Sequence, residues 1–125
     1  MVRSPLLVAL VDDDADVRLA LEGLVASADF AVESFASGAA FLQSLASREP
    51  DCVVLDLQMP DMSGFEIASA LARSHPALPV VAITGYDTSE SRSRAKRLKV
   101  SDYLPKPVEG DALLAAINAA IGKQR

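Results

Sequence analysis

The 125-residue chain has a single cysteine, no long hydrophobic run and no excess of basic side chains. Each shortage excludes something. Cys52 alone cannot close an internal disulfide, so a disulfide scaffold is ruled out and a reducing compartment is expected. The longest apolar run, residues 6–11, falls far short of the roughly 20 residues a membrane-spanning helix needs. Met1-Val2-Arg3-Ser4-Pro5 leads into no hydrophobic segment of signal-peptide length before Asp12 intervenes. A cytoplasmic location without membrane contact is therefore expected. The 12 Lys and Arg are outnumbered by 17 Asp and Glu, giving a net charge of −5. Nucleic-acid-binding domains carry the opposite sign, so no direct nucleic-acid binding is expected. No repeat, low-complexity tract or Pro/Gly/Ser-rich linker divides the chain. Half the residues are hydrophobic and 23% charged, which excludes disorder and collagen. The length suits one core, hence a single domain over residues 1–125.

Short β-rich runs alternate with stretches of helical periodicity. Residues 6–11 form a fully apolar strand candidate, after which Val17, Leu21, Leu24, Val25 and Ala28 repeat at helical spacing. Residues 31–35 are a second strand candidate, and Ser37 can cap a helix whose buried stripe is Phe41, Leu42 and Leu45. Residues 52–55 make a third apolar run, followed by a Ser63/Glu66 capping box ahead of Ile67, Ala68, Leu71 and Ala72. Residues 80–83 are the fourth strand, and Tyr103 with Leu104 a weak fifth. The last helix presents Leu113, Leu114, Ile117 and Ile121, with Gly122 placed to end it. The strands are separated by roughly 20 residues, enough for a crossover helix and too many for a hairpin. No Asn-Gly or Asp-Gly turn joins two of them. Near-continuous apolar strands of this kind indicate a parallel sheet covered on both faces. Five β/α units in one small domain predict an α/β, flavodoxin-like, doubly wound sheet of strand order 2-1-3-4-5.

In such a fold, function gathers outside the C-terminal ends of the strands. Those ends read Asp12, Asp13 and Asp14 after the first strand and Asp56 after the third. The fourth ends in Thr84-Gly85, and Lys106-Pro107 follows the fifth. Asp14 directly precedes the first helix and is better explained as its cap. For the whole set at adjacent strand ends, coincidence is a poor explanation. Asp12, Asp13 and Asp56 packed together repel and raise one another's pKa unless a cation neutralises them. The donors are hard oxygens with no His or Cys nearby, which suits Mg²⁺ better than zinc. Lys106 adds a point charge, and the Thr84 hydroxyl a hydrogen-bond donor. Metal, lysine and hydroxyl around a carboxylate make a receptor for a phosphoryl group, with aspartate as the available nucleophile.

The sequence here resembles the receiver domains of two-component response regulators. The matching segments are Val11-Asp12-Asp13-Asp14, the stretch from Asp56-Leu57-Gln58-Met59-Pro60 to Gly64, Ile83-Thr84-Gly85 and Tyr103-Leu104-Pro105-Lys106-Pro107. Each is weak alone, and their joint spacing over nearly the whole chain is specific. The resemblance implies a phosphorylation switch rather than a turnover enzyme. It makes Asp56 the phosphoacceptor, Asp13 a direct Mg²⁺ ligand, Asp12 a ligand through water, and the Gln58 main-chain carbonyl the remaining protein ligand. Thr84 and Lys106 would hold the phosphoryl oxygens. Tyr103 would be the aromatic switch partner of Thr84, and Lys106-Pro107 a cis peptide. Gly64 would mark a turn with no room for a side chain, although a generic loop glycine reads the same way. Implied partners are a sensor histidine kinase or histidine phosphotransfer protein, and an output domain or partner at the face of the fourth helix, fifth strand and fifth helix. A phosphorylation-dependent homodimer is within the family's range.

Other features have plainer readings. His75, before Pro76, suits the end of the third helix better than a phosphorylatable site. Cys52 is a small buried hydrophobe. Tyr86 is either a surface loop aromatic or, by resemblance, a gate beside the phosphoryl site. Asp12, Asp14 and Asp16 imitate a calcium loop, but Arg18 and Gly23 stand where a ligand and the closing glutamate are required. A flavin phosphate would be repelled by three aspartates. An aspartyl phosphatase, as a family, needs a second aspartate two residues past the nucleophile, where this chain has Gln58. An adaptor that works without phosphorylation has no need of a complete acceptor site. Receiver domains often carry Gly-Ala before the fifth strand, whereas this chain has Lys99-Val100. Residues 90–99 hold Arg92, Arg94, Lys96, Arg97 and Lys99 against Glu90, a net of +4. That run is a solvated helix face or a docking surface for an acidic partner.

Overall fold

Apolar stretches with β-branched residues supply the strands, and the capped, amphipathic stretches between them supply the helices. A computed structural model describes residues 5–122, leaving 1–4 (Met1-Val2-Arg3-Ser4, the start of the chain discussed above) and 123–125 outside the described residues. The order is β1 (Leu7–Val11), α1 (Ala15–Ser27), β2 (Ala31–Phe35), α2 (Gly38–Ser44), β3 (Cys52–Asp56), α3 (Gly64–Ser74), β4 (Val80–Thr84), α4 (Ser89–Arg97), β5 (Asp102–Pro105) and α5 (Gly110–Gly122). All neighbouring strands run parallel, in the order β2-β1-β3-β4-β5. This is the flavodoxin-like α/β sheet that the alternating pattern predicts. No described helix is long and apolar enough to cross a membrane.

Strands β1, β3 and β4 are buried along their whole length, as a sheet covered on both faces requires. Alternate residues serve opposite layers. Val8, Leu10, Val54, Val81 and Ile83 pack with α1 and α5 through Leu21, Val25, Leu113 and Ile117. Ala9, Val11, Val53 and Leu55 pack with α2 and α3 through Phe41, Ile67 and Leu71. A smaller cluster of Leu57, Phe65, Ala82 and Ala95 seats α4. Cys52 is fully buried in β3, and burial pushes its thiol up to about 12, so it behaves as a hydrophobe.

The local signals act where the sequence places them. Asp14 caps α1 by accepting from the Asp16 and Val17 N–H groups. Ser37 caps α2, and Ser63 and Glu66 form a reciprocal capping box on α3. His75 is the residue that ends α3. Helix α4 is capped by Thr88 and ends at Arg97, with Leu98 as its C-terminal cap. Strand β1 starts one residue later than the apolar run. Strands β3 and β4 extend one residue past theirs, because the ladder pairs backbone groups whatever the side chain: Asp56 pairs with Ile83, and Thr84 with Pro105. Asp56 is thus the last residue of β3 rather than the first of the following loop. At Lys99, φ is 59°, the left-handed region that glycine occupies freely. The Lys99-Val100 departure from Gly-Ala therefore costs about 1 kcal/mol of backbone strain.

Two glycines have opposite meanings. A Cβ on Gly64 would overlap the Asp56 carbonyl oxygen and lie 2.7 Å from the Leu57 Cα, so the chain crosses itself there without room for a side chain. Gly23, within α1, has nothing within 4 Å of that position. Gly64→Ala is expected to destabilise the domain by about 1–3 kcal/mol, because backbone must move. Gly23→Ala should stabilise it by about 0.5–1 kcal/mol through helix propensity. Urea unfolding of the two variants checks both signs.

Candidate functional site

The strand order makes β1, β3, β4 and β5 consecutive neighbours, so their C-terminal ends form one continuous edge. Asp12 follows β1, Asp56 ends β3, Thr84 ends β4 and Lys106 follows β5. Asp12, Asp56 and Thr84 are all buried, at 1%, 2% and 0% exposure. Acidic side chains are almost never buried to this degree without partners. Here the partner is Lys106, whose Nζ donates to Asp12 Oδ2 at 2.9 Å and lies 3.3 Å from Asp56 Oδ2.

The remaining carboxylate oxygens are held by backbone. Asp12 Oδ1 accepts from the Asp14 N–H at 2.9 Å, and Asp56 Oδ1 from the Gln58 N–H at 3.0 Å. Arg18 Nη1 donates to the Asp12 carbonyl at 2.7 Å, fixing the main chain beneath the carboxylate. Asp13 is exposed, yet carboxylate oxygens of Asp12, Asp13 and Asp56 all lie within 4.8 Å of one another. Three hard anionic donors at that spacing could hold a metal ion, and none of them is the nitrogen or sulfur that zinc favours. The Thr84 hydroxyl accepts from the Tyr86 N–H at 3.0 Å. The Lys106-Pro107 bond is cis.

Burial is the main reason that the Asp56 carboxyl is pushed up to about 6. Repulsion by Asp12 adds to it, while the Gln58 N–H and Lys106 pull the other way. The expected mutual repulsion is therefore present but secondary to desolvation. Burial also pulls on Lys106, in the lowering direction, but the bond to Asp12 and the charge of Asp56 outweigh it and leave its pKa raised.

Tyr103 does not reach into this cluster. Its hydroxyl donates to Asp87 Oδ1 at 3.1 Å and accepts from the Ser91 hydroxyl, whose Oγ lies at 3.0 Å. Asp87 in turn takes both ends of the Arg92 guanidinium at 2.7 Å, and that guanidinium lies 5.3 Å from the centre of the Tyr103 ring. The arginine holds the Asp87 carboxyl below the usual range. Sequence reasoning took Arg92 as one of a charge run and passed over Asp87 and Ser91. The available signal was a carboxylate five residues before an arginine, just ahead of the helix cap. Tyr86 is exposed, and its main-chain N–H donates to the Thr84 hydroxyl.

A family model described as the response regulator receiver domain matches residues 8–118. The chain belongs to that family. It is 36% identical over 115 residues to the DNA-binding transcriptional regulator NtrC of Escherichia coli K12, covering 92% of this chain and 24% of the relative. It is 32% identical over 114 residues to the regulatory protein LuxO of Vibrio cholerae, covering 91% of this chain and 25% of that one. The chain thus spans about a quarter of the length of these relatives. A CheY-like receiver domain from Methanospirillum hungatei JF-1 superposes with a TM-score of 0.91 at 23% identity, covering 97% of each chain. At that identity the superposition speaks for the fold. A receiver domain is a signalling module of two-component response regulators, as the sequence resemblance implies.

The raised Asp56 carboxyl has a consequence for stability. The folded state holds its proton up to about pH 6, whereas the ordinary value is 3.8. Between those values the folded protein binds more protons than the unfolded chain, so stability falls as pH rises through the interval. The charged groups facing Asp56 are Asp12, Asp13 and Lys106. In metal-free buffer, Asp56→Asn should remove most of that slope and exceed the parent in stability at pH 8 by about 1–3 kcal/mol. Urea unfolding from pH 4 to 8 measures the difference.

Proposed function

We propose that this receiver domain is a phosphorylation switch that accepts a phosphoryl group on Asp56 from a sensor histidine kinase or histidine phosphotransfer protein. The observation that carries the reading is the Lys106 ammonium seated between Asp12 and Asp56 at adjacent strand ends. A structural ion pair needs one carboxylate. A second one, plus an exposed third, leaves negative charge that a divalent cation and a phosphoryl group together can balance.

At neutral pH a carboxyl with a pKa near 6 is mostly ionised, the form able to attack phosphorus. An Asp56 oxygen forms the new P–O bond as the P–N bond to the donor's histidine breaks, and the imidazole leaves with the electron pair. Lys106 meets the phosphoryl oxygens as a point charge, and the Thr84 hydroxyl donates to one of them. A Mg²⁺ ion held by Asp12 through water, and by Asp13, Asp56 and the Gln58 carbonyl, would offset the charge that builds on those oxygens. The aspartate that an aspartyl phosphatase would use for proton transfer is replaced by Gln58, so the reading is self-modification rather than turnover of an external substrate. The cytoplasm, where such donors act, is the compartment this reading requires.

With Mg²⁺ and acetyl phosphate, intact mass should rise by one phosphoryl group, and Asp56→Asn should abolish the gain. Asp13→Ala should weaken Mg²⁺ binding in calorimetry and slow labelling, while the domain stays folded. Equal labelling of the Asp56 variant would remove it as the acceptor.

Transmission runs through α4. This helix has only Ser91 and Ala95 buried, and its exposed positions are mostly charged or serine, so it is weakly anchored. A Thr84 hydroxyl drawn to the phosphoryl group vacates space that the Tyr103 ring can enter, provided its bonds to Asp87 and Ser91 break. The bond to Asp87 goes to an exposed carboxylate that water screens, whereas the contacts made to the phosphoryl group form at a buried site, where charge-assisted bonds are stronger. The α4–β5–α5 face is thereby remodelled for an output domain, a partner or a second copy. Phosphorylation should change amide exchange chiefly over residues 84–104. Thr84→Ala should accept phosphate yet lose most of that change, and Asp87→Ala should reproduce part of it without phosphate. Exchange changes confined to the loops after β1 and β3 would place the output face elsewhere.

A further inference from the structure

We propose that the groove between α3 and α4 docks an acidic, amphipathic helical segment of a partner protein. The groove encloses about 530 Å³ beside Leu42, Met62, Phe65 and Leu98, with Arg73, Arg94 and Arg97 along its sides. A second hollow of about 440 Å³ shares Arg97 and Leu98 with it and continues to Lys99. One surface thus combines an apolar floor with four cations, on a chain whose net charge is −5.

Unpaired cations gather on this surface; among the described residues Arg18 and Lys96 also have no carboxylate partner, but they lie outside the groove. Arg92 has Asp87, Arg48 has Glu33 and Lys106 has Asp12 and Asp56. Among the described residues, Arg73, Arg94 and Arg97 have no carboxylate partner; Arg73 bonds only the Ser69 hydroxyl. The one acidic residue lining the groove, Glu66, is engaged with the Ser63 N–H in the capping box. The Arg94 guanidinium lies over the Phe65 ring, its Cζ 4.0 Å from the ring centre, a contact that restricts the side chain without using its N–H donors. Seventeen acidic residues in the chain leave these three arginines unpaired.

Chemistry and dimensions identify the occupant. Carboxylates in a row satisfy guanidinium forks, and a neighbouring apolar stripe covers the half-buried Leu42, Met62 and Leu98. Helices α3 and α4 have 11 and 9 residues, so the groove accepts about three turns of helix, roughly 15 Å. A nucleic acid would match the arginines but not the apolar floor, and the acidic remainder of the domain would repel it. The surface is distinct from the α4–β5–α5 face. Arg92 and Lys96 turn toward β5, where they line a hollow with Tyr103. Arg94 and Arg97 turn toward α3. The inference holds whether or not Asp56 accepts phosphate.

The test uses a fluorescein-labelled helical peptide with Leu on one face and Glu on the other, with Leu/Gln and Leu/Lys versions as controls, read by anisotropy. The Glu peptide should bind, at least tenfold more tightly than either control, and weaken as salt rises. Arg73→Glu with Arg97→Glu should reduce its affinity about tenfold or more. Arg48→Glu with Lys96→Glu makes the same change in net charge outside the groove and should leave binding within about twofold. Circular dichroism melts confirm that both double variants fold. Equal losses from the two pairs would mean that net charge alone attracts the peptide, and would overturn the proposal. So would a Gln peptide that binds as well as the Glu one, or no binding at millimolar concentration. A single-stranded oligonucleotide that competes as strongly as the Glu peptide would reassign the groove to nucleic acid. A concentration-dependent dimer abolished by Arg73→Glu with Arg97→Glu would reassign it to a second copy.

Discussion

A single ammonium group lies between two buried carboxylates, with Lys106 Nζ 2.9 Å from Asp12 and 3.3 Å from Asp56. Taking two carboxylates and one lysine out of water costs several kcal/mol per ion, and only close mutual contact with further hydrogen bonds recovers it. The fold supplies both. Backbone N–H groups of Asp14 and Gln58 take the free carboxylate oxygens, and no buried side-chain polar atom among the described residues lacks a partner. The cluster is nonetheless left one cation short. Asp13 adds its charge from the exposed side, so the site is satisfied in its hydrogen bonds and unsatisfied in its charge.

That combination explains why the rest of the domain is built as it is. The sheet around the cluster is rigid: β1, β3 and β4 are buried throughout, and Gly64 lets the α3 entry cross against the backbone of Asp56 and Leu57 without a side chain between them. The periphery is loose. Helix α4 attaches through two small buried residues and through the hydrogen bonds that Asp87 and Ser91 make to Tyr103. A change of charge at the rigid centre meets a helix whose attachments are individually weak. Response regulator receivers are signalling modules, and a firm site beside a weakly held helix is a physical form such a module can take.

The sequence was most legible where the determinants are local. Strand β2 falls on the expected residues 31–35, and Asp14, Ser37 and Ser63 cap the helices that follow them, since a cap acts within three residues. The strand order followed from the spacing of apolar runs, and the four site segments from their position at strand ends. Boundaries were harder. Asp56 reads as a loop residue because it is charged, yet its backbone continues the ladder. Least legible were contacts among distant segments. The Asp87–Arg92–Tyr103 cluster joins a loop, a helix and a strand across 16 positions. The basic groove required Arg73 of α3 to meet Arg94 and Arg97 of α4. The charge run on α4 was visible in the sequence; its counterpart on α3 was not.

The separation of 94 positions from Asp12 to Lys106 also sets a timetable. At synthesis rates of about 5–20 residues per second, the lysine is made roughly 5–20 s after the first aspartate. During that interval β1 and β3 can approach only by bringing two carboxylates together with no ammonium between them. The emerging chain therefore lacks both a complete site and a strong reason to close its centre early. Docking of β5 supplies the missing charge and the last strand of the sheet in one event. A ribosome-bound fragment that ends before β5 would carry both aspartates without the ammonium that lies between them, so the cluster is assembled only once Lys106 has been made.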